Sequence, residues 1–164
     1  MTASVQIELL IGHSHLAPVL GAWHHEEWGH LYAPEVWDLP TAVREFEAMT
    51  QPGSVDRTWV AFEGASRSVD AVLGSVSLIA TDDLAGFEHL TPWLASMFVT
   101  PAARERGVAV ALIDALLGGA RAVGHATVYL FTSGQEQFWG ERGWEVIDSV
   151  DTEGHRATVM ARHT

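Results

Sequence analysis

The chain has 164 residues and no cysteine. Disulfides, thiolate metal sites and a cysteine nucleophile are therefore excluded. It also has no lysine. A Walker-type phosphate loop, Gly-x-x-x-x-Gly-Lys-Ser/Thr, is excluded with it. No apolar run reaches the length of a membrane span, so no membrane partner is expected. Positive charge is scarce: nine arginines face 21 acidic residues, for a net charge of −12. Those arginines are scattered, which argues against a basic face for nucleic acid. The first residues lack a basic flank and an apolar core, so no signal peptide is expected and a cytoplasmic location is the simplest expectation.

What remains is a packed globule. Hydrophobic residues make up 48% of the chain and charged residues only 18%, a balance far from that of disordered sequences. The length suits one domain over residues 1–164. The acidic balance favours a cationic small-molecule partner over an anionic one.

The stretch Val99 to Asp114 is the most informative. It reads as a strand, a short basic turn and an amphipathic helix. Ala109, Leu112, Ile113, Leu116, Leu117 and Ala120 recur at helical spacing. Arg104, Gly107 and Ala109 form Arg-x-x-Gly-x-Ala just ahead of it. The first amides of a helix lack intrahelical acceptors, and the helix dipole adds positive character there. An anion fits that end. Gly107 allows close approach, and Arg104 and Arg106 supply forked donors for phosphate oxygens. The same residues also suit an ordinary solvated turn. A dinucleotide fingerprint is absent, because Gly107 stands alone rather than in Gly-x-Gly-x-x-Gly.

The spacing predicts strands over 5–11, 58–63, 71–80, 93–99 and 127–131, then a hairpin of 145–150 with 155–161 around 151–154. Helices are predicted from Ser14, as N-cap, to about Gly29, over 41–49, over 107–123, and from a Ser133-x-x-Glu136 capping box through Arg142. The strands at 93–99 and 127–131 read as buried on both faces. The order βααβββαβαββ, with one β-α-β unit, predicts a mixed α+β sheet with a locally parallel pair.

That order, together with Arg104-x-x-Gly107-x-Ala109, resembles the GCN5-related N-acetyltransferase (GNAT) family. The segment Phe138-Trp139-Gly140-Glu141-Arg142-Gly143-Trp144 is similar to the family's Phe-Tyr-x-x-x-Gly-Phe, and Pro92 to Val99 looks like its fourth strand. The resemblance covers the whole chain in element order and is specific over residues 92–144. It implies a mostly antiparallel sheet with splayed fourth and fifth strands. It also implies acetyl-CoA as co-substrate, no metal, and a small-molecule or peptide amine as acceptor; it allows a homodimer. Met97, Phe98 and Val99 would line the pantetheine. Arg104, Glu105, Arg106, Gly107, Val108 and Ala109 would hold the pyrophosphate, with Thr132 and Trp139 beside the cofactor.

Two departures stand out. The family's tyrosine acid is replaced by Trp139, whose indole N–H is a donor but not an acid. The strand 93–99 also carries no carboxylate for a base. Glu26, Glu27, Asp82, Asp83 and Glu88 are the candidate carboxylates. Glu27, Glu88 and Ser133 are the candidate catalytic residues, and Glu26, Trp28 and Tyr32 a candidate wall for an ammonium group. His24-His25-Glu26-Glu27-Trp28-Gly29-His30 is not a His-Glu-x-x-His motif, since Gly29 occupies the second histidine position. The resemblance therefore implies amine N-acetylation. A CoA-binding module with weak or lost chemistry is the alternative.

Overall fold

The computed structural model describes residues 3–152 and 154–164. Seven strands form one sheet in the order β1-β2-β3-β4-β5-β7-β6. They are β1 (Val5–Leu9), β2 (Arg57–Glu63), β3 (Val72–Ile79), β4 (Trp93–Val99), β5 (Thr127–Thr132), β6 (Glu145–Thr152) and β7 (His155–His163). The helices are α1 (Ala17–Trp28), α2 (Leu39–Met49), α3 (Val108–Ala122) and α4 (Glu136–Gly140). β1 pairs with β2, β5 with β7 and β6 with β7 in antiparallel fashion, while β4 and β5 pair in parallel with Trp93 opposite Tyr129. The element order matches the expected one. The chain divides into two compact units: the described residues of Met1–Ser77 with Ser96–Leu116, and Leu78–Ala95 with Leu117–Thr164.

In the first unit, Leu16 and Leu20 of the α1 segment pack with Phe46, Met49, Val60 and Phe62. Each fully buried side chain of this size contributes roughly 2 kcal/mol. Ser14 does not cap α1. It opens a single 3-10 turn, Ser14–Leu16, and the helix proper begins at Ala17 with Pro18 in its first turn. Proline fits there because that amide has no partner to lose. The second helix begins at Leu39, two residues ahead of the expected start. Its cap is Asp38, whose carboxylate accepts from the Thr41 amide at 2.8 Å. Pro40 therefore starts the helix rather than closing the preceding loop.

In the second unit, Trp93, Leu84, Ala157 and Val159 form a core flanked by Tyr129, Phe131 and Val150. Burial on both faces holds for β4 only at Trp93 and Leu94. Along β5, burial alternates, with Val128 and Leu130 inward. The capping box at Ser133 does not form. Ser133 donates its hydroxyl to the Arg156 carbonyl at 2.7 Å, and Glu136 accepts from Thr158 at 2.8 Å. Both side chains are drawn to β7, and α4 shrinks to five residues. The hairpin forms as expected; its tip residue Glu153 lies outside the described residues.

Candidate functional site

The first unit carries the turn that leads from β4 into α3. Thr100 donates its amide to Leu73 of β3 at 2.9 Å, and one 3-10 turn, Pro101–Ala103, follows. Glu105 and Gly107 then take left-handed conformations, with φ of 62° and 78°. Successive left-handed turns of this kind aim amides to one side, as in backbone anion nests. The first helical bond of α3 is Ala111 N–H to Gly107 C=O at 3.1 Å. The amides of Val108, Ala109 and Val110 precede it. A Cβ built on Gly107 meets nothing within 4 Å. The turn is open and exposed around Gly107. Arg104 is anchored through Nε to the Val99 carbonyl at 3.2 Å. Arg106 pairs with Glu63 of β2 at 2.6 Å, so Arg104 is the cation with less competition for a phosphate.

Behind the turn, β3 and β4 approach closely. A Cβ on Gly74 would lie 2.5 Å from the Phe98 carbonyl oxygen and 3.1 Å from Val99 Cα. Met97, Phe98 and Val99 are half-buried, so this end of β4 retains exposed surface for an extended ligand. Ser96, just before them, is left-handed at φ 53° within the strand. For a non-glycine residue this costs about 1–2 kcal/mol. Its carbonyl faces Nε2 of His24 at 2.9 Å.

His24 was legible only as part of a histidine-rich run. It is 2% exposed and falls four residues after Leu20 and eight after Leu16, on the buried stripe of α1. Burial pushes its pKa down, against the opposing effect of the Ser96 and Leu20 carbonyls. His25 instead stacks on Trp37 at 5.5 Å. Trp37 also meets Tyr32 at 5.3 Å and donates to Glu45 at 3.1 Å. Trp28 lies against His24 at 5.2 Å, and Glu26 and Glu27 are exposed. The expected wall of Glu26, Trp28 and Tyr32 is thus split: Trp28 supports the core, while Tyr32 belongs to an aromatic group centred on Trp37. Trp37 was not singled out from sequence, where it sat in a stretch read as plain loop.

In the second unit, Trp139 is 7% exposed and packs edge-on against Phe138 and Trp144. Arg142 lies over the Phe138 ring at 3.7 Å and donates to the Phe138 carbonyl at 2.7 Å. Trp139 thus packs among aromatic neighbours. Thr132 ends β5 opposite Thr158. Ser133 has its proton committed to Arg156. Glu88 accepts from the Gly86 amide at 3.1 Å, and its own amide together with that of Gly86 holds its pKa below the usual range. Both features weaken these two residues as proton-transfer groups.

Asp82 behaves oppositely. Burial pushes its pKa up to about 6, against a lowering bond from the Asp83 amide. An Asp whose folded pKa is raised stabilises the fold only while protonated. That contribution is complete below pH about 4 and is lost as pH rises through about 6. Asp82→Asn is therefore expected to raise thermal stability at pH 8, by at most about 3 kcal/mol, with the gain vanishing near pH 4. Melting curves across that range check it; a variant gain that is flat with pH would contradict the assignment.

The comparisons with known proteins agree with this fold. No protein of curated function matches the sequence. Among solved structures, a GCN5-related N-acetyltransferase from Kribbella flavida is 24% identical over 98% of each chain, with a TM-score of 0.69. An aminoglycoside 6'-N-acetyltransferase complexed with coenzyme A is 14% identical over 96% of each chain, at 0.71. A spermidine/spermine N-acetyltransferase from Vibrio cholerae is 12% identical, covering 98% of this chain and 95% of that one, at 0.66. At these identities the likeness shows a shared fold. The family model described as "Acetyltransferase (GNAT) family" matches residues 19–138, well over half of the sequence, and the chain belongs to that family.

Proposed function

We propose that the protein transfers an acetyl group from acetyl-CoA to a primary amine by direct attack on the thioester. The observation that carries this reading is the open cradle at Gly107, ahead of α3 and next to Arg104. In this reading the amides from Arg104 to Ala109 hold the pyrophosphate. The backbone of Met97, Phe98 and Val99 pairs with the pantetheine, and a β4 amide faces the thioester oxygen. Thr132 and Trp139 lie near the cofactor.

The amine nitrogen bonds to the acetyl carbon, the C–S bond breaks and the thiolate leaves. An alkyl thiol has a pKa of about 8.5, so this leaving group needs little help, and the buried packing of Trp139 is compatible with turnover. The attacking amine, with a pKa of about 10, must shed a proton. Asp82, with its pKa of about 6, is the carboxylate assigned to that task near neutrality. Positioning supplies much of the remaining rate. The exposed ring of Tyr32 and the half-buried ring of Trp37, which bonds the Glu45 carboxylate, suit a cationic acceptor.

Thiol release from acetyl-CoA across polyamines, aminoglycosides, amino acids and peptide N-termini tests the reading, with the acetylated amine confirmed by mass spectrometry. Turnover with at least one class is expected. Tight acetyl-CoA binding without turnover on any amine would establish the alternative, a CoA-binding module whose chemistry is lost, for which Trp139 and the committed Ser133 are the structural grounds.

A further inference from the structure

Both ring nitrogens of His24 face carbonyl oxygens. Nδ1 lies 2.7 Å from Leu20 O, and Nε2 lies 2.9 Å from Ser96 O. The ring is enclosed by Phe46 at 4.6 Å, Trp28 at 5.2 Å and Phe98 at 6.0 Å. Leu20 O already lies within α1, where the i−4 relation makes it the ordinary acceptor for the His24 amide. Ser96 O is the distant contact, 72 residues away in sequence. It belongs to the left-handed residue that interrupts β4.

The peptide joining Ser96 to Met97 is one rigid plane. In a trans peptide the C=O and the N–H point in opposite directions. A donor that fixes the Ser96 carbonyl toward α1 therefore fixes the Met97 N–H away from α1. It also polarises that peptide, since hydrogen bonds to the carbonyl of an amide strengthen its N–H as a donor. We infer that His24 is a positioning residue: its Nε2–H holds and polarises the Ser96–Met97 peptide so that the Met97 N–H can bind the thioester oxygen as negative charge develops there. This rests on the acetyl-CoA reading above, and it adds a role for a buried side chain that touches neither cofactor nor acceptor.

The arrangement also explains how β4 tolerates a serine at φ 53°. The charge-assisted or neutral donor buried behind the strand offsets a conformation that the serine backbone itself disfavours. A neutral imidazole donates through one nitrogen only, so the tautomer is the decisive variable. A neutral Nε2–H ring and an imidazolium both make the bond to Ser96. A neutral Nδ1–H ring makes only the bond to Leu20.

Two measurements test the inference. The ring nitrogen resonances of the isotope-labelled protein, assigned by loss in His24→Gln, are expected to show a protonated Nε2 at His24. A deprotonated Nε2 would overturn the proposal, and this readout needs no cofactor. The second is the isotope-edited infrared band of the acetyl-CoA carbonyl in its complex with the protein. A downshift relative to free acetyl-CoA is expected in the wild type, lost in His24→Leu and restored in His24→Gln, whose amide keeps a donor. Acetyl-CoA affinity is expected to fall by no more than about fivefold in His24→Leu, the loss of one hydrogen bond. An undiminished downshift in His24→Leu would overturn the proposal. Absence of acetyl-CoA binding by the wild type would instead remove the acetyltransferase reading, leaving the nitrogen resonances to decide the hydrogen bond on their own.

Discussion

Gly107→Glu is expected to weaken acetyl-CoA binding by at least about 100-fold, or about 2.7 kcal/mol. Two effects combine. The side chain would enter the space that now lies open above the turn. Its carboxylate would also stand where a diphosphate must sit, among amides and Arg104 whose value is their attraction for anions. The backbone contributes separately, because Gly107 sits at φ 78° and any side chain there is strained by about 1 kcal/mol. Gly107→Ala isolates that strain: it should lower stability by about the same amount while keeping most of the affinity. Calorimetric titration and thermal melting of the two variants separate the contributions. Wild-type affinity in Gly107→Glu would show that the ligand is held elsewhere.

Gly74→Ala is expected to cost about 3 kcal/mol of stability. Its methyl group would meet the Phe98 carbonyl oxygen at 2.5 Å and Val99 Cα at 3.1 Å. Those are backbone atoms of a strand, so no rotamer change relieves the overlap. Either β3 or β4 must move. Phe98 and Val99 are also the residues assigned to the pantetheine, so acetyl-CoA affinity should fall along with the denaturation midpoint. A Gly74→Ala protein with wild-type midpoint and affinity would mean that β4 can shift freely, contrary to its role as a fixed edge for the cofactor.

The fold was largely legible because its strongest signals are periodic and local. Of the stripe Ala109, Leu112, Ile113, Leu116, Leu117 and Ala120, every member after Ala109 is buried, and Ala109, in the first turn, is half-buried. Gly107 takes the positive φ that made it worth singling out. Several of the readings that failed depended on partners distant in sequence. Ser133 and Glu136 have the spacing of a capping box, but Arg156 and Thr158 of β7 compete for them and win. Ser96 carries no local mark of a left-handed residue, since serine rarely adopts that conformation; its partner His24 is 72 residues away. The burial of His24 was available from its register with Leu16 and Leu20, yet the run of neighbouring histidines drew attention to metal chemistry instead. Asp38 was hidden by Pro40, which reads equally well as a loop residue and as the first turn of a helix.

The donor side rests on backbone geometry, while the acceptor side rests on the side chains of Tyr32, Trp37 and Glu45. The net charge of −12 and the rings of Tyr32 and Trp37 both favour a cation. The donor claim can be tested without knowing the acceptor. Acetyl-CoA and acetylpantetheine share the thioester and the pantetheine arm, but only acetyl-CoA carries the pyrophosphate and the 3'-phosphoadenosine beyond it. Titration of both into the wild-type protein is the most direct measurement. Acetyl-CoA is expected to bind at least about 100-fold more tightly, because the amides ahead of α3 and Arg104 act on the pyrophosphate alone. Equal affinity for the two would contradict the assignment of the Arg104–Ala109 turn, and with it the central account of this protein.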